Sequence, residues 1–170
     1  MRVFVPVTIR MLQGLVADGE LRARSGTAFA VTPALREAYT SDDDDELADV
    51  AIREAARASL RLLAAELDAD AGEPAFPVRR AVLAADVDGA KPRPDLDDAV
   101  VRLDGPIAMR QVASVHVDLS DAEESLLRAV EVIDAADLGD EDAEFVLGDA
   151  EDHELAWYAT QELPFLLELL

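Results

Sequence analysis

Three arginines spaced four apart, Arg53, Arg57 and Arg61, follow Asp49 and come nearest to residues whose type and spacing do chemistry. On a helix that spacing forms a ridge along one face. Guanidinium forks hold phosphate or carboxylate bidentately, so the ridge is an anion-site candidate; the same forks also pair with a protein's own carboxylates. A second group, His153, Glu154, Trp157, Tyr158 and Gln161, reads as a polar and aromatic binding face, with His153 able to exchange a proton near neutral pH. Its Trp and Tyr equally suit packing with one polar end hydrogen-bonded.

Neither group specifies a reaction. The pattern His153-Glu-x-x-Trp157 lacks the second His of a zinc-protease helix. The acidic run Ser41 to Glu46 lacks the glycine that a calcium loop requires, and Asp86-x-Asp88-Gly89 is too short for one. His116 lies in a strand, facing away from Val115 and Val117, with no nucleophile or orienting partner beside it in sequence. The reading therefore names no catalytic residue, metal or cofactor, and leans against an enzyme.

The second group needs an element to carry it, and the spacing predicts a helix from about Ala150 to Leu163. Asp149 is its N-cap and Asp152 its third residue, both suited to orphan N–H groups and the positive end of the dipole. Leu155, Ala159 and Leu163 then share one face, with His153, Trp157 and Gln161 nearly opposite. Pro164 kinks or breaks the helix before an apolar tail, Phe165 to Leu170, that is expected to dock on the body.

For the arginine ridge the carrier is a long central helix over Asp42 to Leu67, capped by Ser41 with Asp44 three residues on. Its stripe is Leu47, Ala51, Ala55, Ala58, Leu62 and Ala65. Before it, Val3 and Val5 mark a short strand limited by Pro6, and Thr8 caps a helix ending at Asp18-Gly19. Thr27 to Val31 is a strand, and Thr32-Pro33 opens a short helix. This order favours a right-handed parallel unit. After it, Asp68 to Pro77 is a linker, Val78 to Val87 a strand, and Ala99 to Leu103 a strand paired with the preceding one as a hairpin. Ser114 to Asp118 is a fifth strand. Ser120 and Glu123 form a capping box for a helix to Ala136, and Leu138-Gly139-Asp140 ends it and caps the next.

Charge bounds the partners. The 170 residues carry 37 acids against 15 bases, for a net −22. From Asp118 onward there are 17 acids and one base, Arg128, a net −16. Such a field opposes direct binding to nucleic acid or anionic membranes and steers a basic partner inward. The alternative is an acidic surface that serves solubility alone. Absence of Cys fits a reducing cytoplasm, no secretion signal is visible, and the apolar tail is shorter than the roughly 20 residues a spanning helix needs.

At Thr27-Ala-Phe-Ala-Val-Thr-Pro-Ala-Leu-Arg36, Glu54-Ala-Ala-Arg-Ala-Ser-Leu-Arg-Leu-Leu63, Asp137-Leu-Gly-Asp-Glu-Asp-Ala-Glu-Phe145 and Trp157-Tyr-Ala-Thr-Gln-Glu162 the chain resembles an uncharacterised family of small acidic cytoplasmic proteins from high-GC Gram-positive bacteria, a domain of unknown function. The resemblance spans nearly the whole chain and implies no activity or site residues.

The expectation is one α+β domain over residues 1–170: a mixed sheet of about five strands against the long central helix, with an acidic helical C-terminal third over 118–170. The function expected first is a non-enzymatic acidic interaction protein binding a basic macromolecular surface, with a basic protein as the partner considered. A small-ligand binding protein or enzyme built on Arg53, Arg57 and Arg61, or on the His153/Trp157 face, is the alternative. A homodimer through an exposed Trp157 is also open.

Overall fold

In the computed structural model, which describes residues 1–170, a seven-stranded sheet runs in the order β5-β6-β3-β1-β4-β8-β9. Its strands are β1 (Arg2–Val7), β3 (Thr27–Phe29), β4 (Ala81–Asp86), β5 (Lys91–Pro92), β6 (Val100–Arg102), β8 (Val112–Asp118) and β9 (Leu155–Ala159). A separate ribbon pairs β2 (Glu20–Leu21) with β7 (Ile107–Ala108). The α+β class stands, but every pairing is antiparallel, so the sheet is not mixed and has more strands than the expected five.

Local chemistry builds the first two helices as expected, but Pro6 does not limit β1: it lies within the strand, opposite Val82. Thr8 accepts the Met11 N–H and opens α1 (Ile9–Asp18), which Gly19 closes at φ 79°. Thr32 accepts the Leu35 N–H at the start of α2 (Pro33–Tyr39), with proline in the first turn. The expected parallel unit is overturned. After α1 the chain makes the β2 excursion and reverses at Ser25 (φ 58°) and Gly26 (φ 67°), so β3 returns antiparallel to β1.

The hairpin expected between Val78 to Val87 and Ala99 to Leu103 is overturned as well. The chain after β4 crosses the sheet, and β6 pairs with β3 and β5 on the far side. The Thr32 hydroxyl donates to Asp98 O, and the Ala30 N–H donates to Ala99 O at 2.9 Å, anchoring the crossing.

Helix α3 (Asp44–Ala69) is capped by Asp43, which accepts the Asp45 and Glu46 N–H groups. Ser41, the expected cap, accepts only the Asp43 N–H. The buried stripe follows Leu47, Ala51 and Ala55, then shifts to Ala56, Ser59, Leu60 and Leu63; Ala65 is exposed. The shift occurs because the first half of α3 packs on the sheet beside Phe4, Val82 and Val100, whereas Leu60 and Leu63 meet α4 (Glu123–Asp137) and α5 (Glu141–Glu151).

On the opposite sheet face, Val3, Val5, Leu83, Val115 and Val117 pack with Leu12 and Leu15 of α1 and with Leu163, Leu166 and Leu167 of α6 (Leu163–Leu169). The apolar tail thus docks. Pro164 lies in the first turn of α6, where its missing N–H costs nothing.

The largest correction concerns the segment expected as a helix from Ala150. Helix α5 begins at Glu141 with Asp140 as its cap, contains Asp149, and stops at Glu151. His153 lies in the turn that follows, and Leu155–Ala159 forms β9 beside β8. Apolar and aromatic residues in this run satisfy either period, and β8 offers an unpaired edge that a helix could not fill. Pairing decided the outcome.

Candidate functional site

The arginine ridge forms on α3, and most of it is occupied by the protein's own acids. Arg57 Nη2 donates to Asp137 Oδ1 at 3.1 Å and Glu144 Oε1 at 2.8 Å, and Nη1 lies 3.5 Å from Glu151 Oε1. Arg61 holds Asp137 with both arms of its fork, at 2.7 and 3.0 Å. Hydrogen bonding from Arg61, and then from Arg57, keeps Asp137 below the usual carboxylate range. The hydrogen bond from Arg57 does the same for Glu144. The ridge thus clamps α3 to α4 and α5, leaving Arg53 exposed and without an ion-pair partner.

A cleft of about 820 Å³ opens where the first half of α3 overhangs the β8 and β9 end of the sheet. Asp49, Arg53, Glu54 and Arg57 form one wall, with Tyr39 of α2 above them. Glu151, Asp152, His153, Glu154 and Leu155 form the other, and Arg80 and His116 line it from the sheet. Two candidates that were separate in the sequence, Arg53/Arg57 and His153/Glu154, are therefore walls of one cavity.

The remaining candidates lie apart. Arg61 is further along α3 and outside the cleft. Trp157 sits opposite His116 in the β8/β9 register and is 60% exposed. Tyr158, the next residue on the strand, points to the other face and packs partly against the α1/α6 core. Gln161 is exposed in the short turn Thr160–Glu162. The single helical face expected for His153, Glu154, Trp157, Tyr158 and Gln161 does not form, because strand alternation replaces helical period there.

Sequence reasoning missed Arg80 and set His116 aside. Arg80 is buried against the fully buried Asp118: Nε and Nη2 donate to its two oxygens at 2.8 Å each, and Nη2 also donates to His153 O at 2.8 Å. The available signal was an arginine directly before an apolar strand, where only a paired charge is tolerated. His116 faces the cleft, its Nε2 3.3 Å from Ser114 Oγ, and burial pushes its pKa below the ordinary histidine value. Burial lifts Glu54 above the usual glutamate range, aided by Asp97 and opposed by Arg61 and Arg57.

Charge in the cleft is unbalanced. Asp49, Glu54, Glu151, Asp152 and Glu154 face Arg53, Arg57 and Arg80, and the last two arginines are already neutralised by Asp137, Glu144 and Asp118. The cavity accordingly suits a cation better than an anion. No group of three or more His, Asp or Glu side chains is placed to hold a metal ion. No helix is long and apolar enough to cross a membrane.

Comparison with known proteins places residues 1–167 in the Family of unknown function (DUF6912), and the chain belongs to that family. Neither the curated proteins nor the solved structures give a match.

Proposed function

We propose that this DUF6912 member is a non-enzymatic acidic interaction protein that binds a basic surface on another protein, in a cytoplasmic setting consistent with its lack of Cys. The observation that carries the reading is where the acids of residues 118–170 point. Of the 17, only Asp118 is buried and only Glu123 half-buried; the others are exposed, and apart from Asp137, Glu144 and Glu151 on the arginine ridge and Glu124 beside Arg128, those exposed acids meet no base. Exposed apolar side chains stand within this acidic layer: Leu138 at 90%, Phe145 at 78% and Leu127 at 45%. An acidic field with apolar anchors is what a basic, amphipathic partner needs, whereas solubility alone calls for the charge and not for the anchors.

The test is affinity capture from native cytosol at ionic strengths of about 0.05 M and about 0.5 M, either side of strong screening. The wild type should run beside a variant carrying Glu141→Gln, Asp142→Asn and Asp149→Asn on α5. A basic partner released by salt and lost from the variant supports the reading. Partners that are neither basic nor sensitive to salt count against it.

A second reading is favoured by the cleft, which gathers both histidines, Arg53 and an elevated Glu54 in a volume suited to a small molecule. Its test is a thermal-shift screen of small amines, carboxylates and phosphates. Stabilisation that disappears in Arg53→Ala or Glu54→Gln supports it, and uniform silence removes it.

A further inference from the structure

The two ends of the seven-stranded sheet are built differently. One edge is β5, only two residues long, and those residues are Lys91 and Pro92, a charge and a missing donor that discourage pairing. The other edge is β9, five residues without charge, proline or bulge: Leu155, Ala156, Trp157, Tyr158 and Ala159. Its register with β8 is continuous over that length. It lacks the usual protection of an edge strand.

Hydrogen-bond direction identifies which groups are free. The Asp118 N–H donates to Arg80 O, on the β4 side of β8. Alternation along an antiparallel strand then turns Val115 and Val117 toward Tyr158 and Ala156. Leu155 and Trp157 therefore direct their N–H and C=O groups away from the sheet. The Ala159 N–H is taken by Glu162 Oε1 at 3.0 Å, so the open stretch ends there.

Charge selects the occupant. Glu151, Asp152 and Glu154 precede the strand and Glu162 follows it, all exposed. A second copy of this chain would bring those same carboxylates against each other, whereas a lysine- or arginine-rich strand would meet them favourably. Side chains of an added strand that share the face of Trp157 and His116 also lie beside the acidic cleft.

We propose that β9 is a docking edge that takes an extended, basic segment of a partner protein as an additional antiparallel strand. The inference rests on the basic-partner reading and supplies its mode of recognition: backbone pairing at Leu155 and Trp157, with carboxylates at both ends selecting cationic side chains.

The test uses three synthetic heptapeptides: one alternating lysine with valine, the same peptide N-methylated on the amides that would face β9, and one alternating glutamate with valine. Fluorescence of Trp157, the sole tryptophan, reports binding, and amide exchange reports the location. The lysine peptide should shift the emission and slow exchange at Leu155 and Trp157, while N-methylation weakens binding by about tenfold or more and the glutamate peptide does not bind. Equal binding of the methylated peptide, or protection confined to α4 and α5, overturns strand addition and leaves basic recognition standing. Failure of the lysine peptide to bind also overturns strand addition, while the capture experiment decides the basic-partner reading separately.

Discussion

Arg80 and Asp118 form a bidentate ion pair that is 4% and 0% exposed and joins the start of β4 to the end of β8. The Arg80 N–H adds a bond to Asp118 Oδ2 at 2.9 Å, and its side chain reaches on to His153 O in the turn before β9. One buried pair thereby positions a cleft wall and an edge strand. Asp118→Ala leaves a buried guanidinium unpaired, a change that costs about 3–5 kcal/mol. Urea unfolding should show that loss, with faster amide exchange across β9.

Ser59 makes a similar join between α3 and the sheet. Its hydroxyl donates to Val7 O at 2.7 Å and accepts the Ala81 N–H at 3.0 Å, in a fully buried position. Ser59→Ala strands a carbonyl and an amide away from water and should cost about 1–3 kcal/mol in urea unfolding. A loss below about 0.5 kcal/mol would mean that neither bond contributes net stability.

The ridge predicts acid sensitivity. Asp137 and Glu144 are held below their ordinary values, so their contribution is complete above the unfolded carboxylate range near pH 4. It is lost as pH falls through the lower folded values. In Arg57→Met/Arg61→Met the stability at pH 7 should drop and its fall below about pH 4 should flatten, as read by thermal melts across pH.

Burial in the cleft predicts two dependences of opposite direction. Glu54 is raised, so its contribution is present below the ordinary glutamate value and is lost as pH rises through the folded value. Glu54→Gln should thus raise the melting temperature at pH 7, and the gain should vanish below about pH 4. His116 is depressed; stability tied to it is complete above about pH 6.5 and falls as pH drops below that. Its imidazole NMR signals should titrate below the ordinary histidine range.

Much of the fold was legible because it is written in local chemistry. Thr8, Thr32 and Asp140 cap the helices they were expected to cap, and Gly19 ends α1 in the left-handed conformation that glycine tolerates. The long α3 was readable from its period, but the shift of its buried face after Ala55 depended on where α4 and α5 settle. β9 was not readable: Leu-Ala-Trp-Tyr-Ala accepts either period, and the unpaired side of β8 is a tertiary fact. The candidate site followed the same division. Self-pairing of the arginines with acids was an open alternative, and Arg57 and Arg61 adopt it, yet the 80-residue separation of Arg57 and Asp137 hid the partner. His116 and Arg80 join the cleft only through strand register and a buried ion pair, neither visible as a spacing.

The proposed role of the acidic, apolar-studded layer of residues 118–170 is to recognise a basic protein. Its most direct test is the salt dependence of the dissociation constant for the partner captured from cytosol, compared between the wild type and the Glu141→Gln/Asp142→Asn/Asp149→Asn variant after both are checked for folding. Affinity should weaken steadily with salt in the wild type, with a lower affinity and a shallower slope in the variant. Affinity unchanged by salt and equal in the two proteins would contradict it.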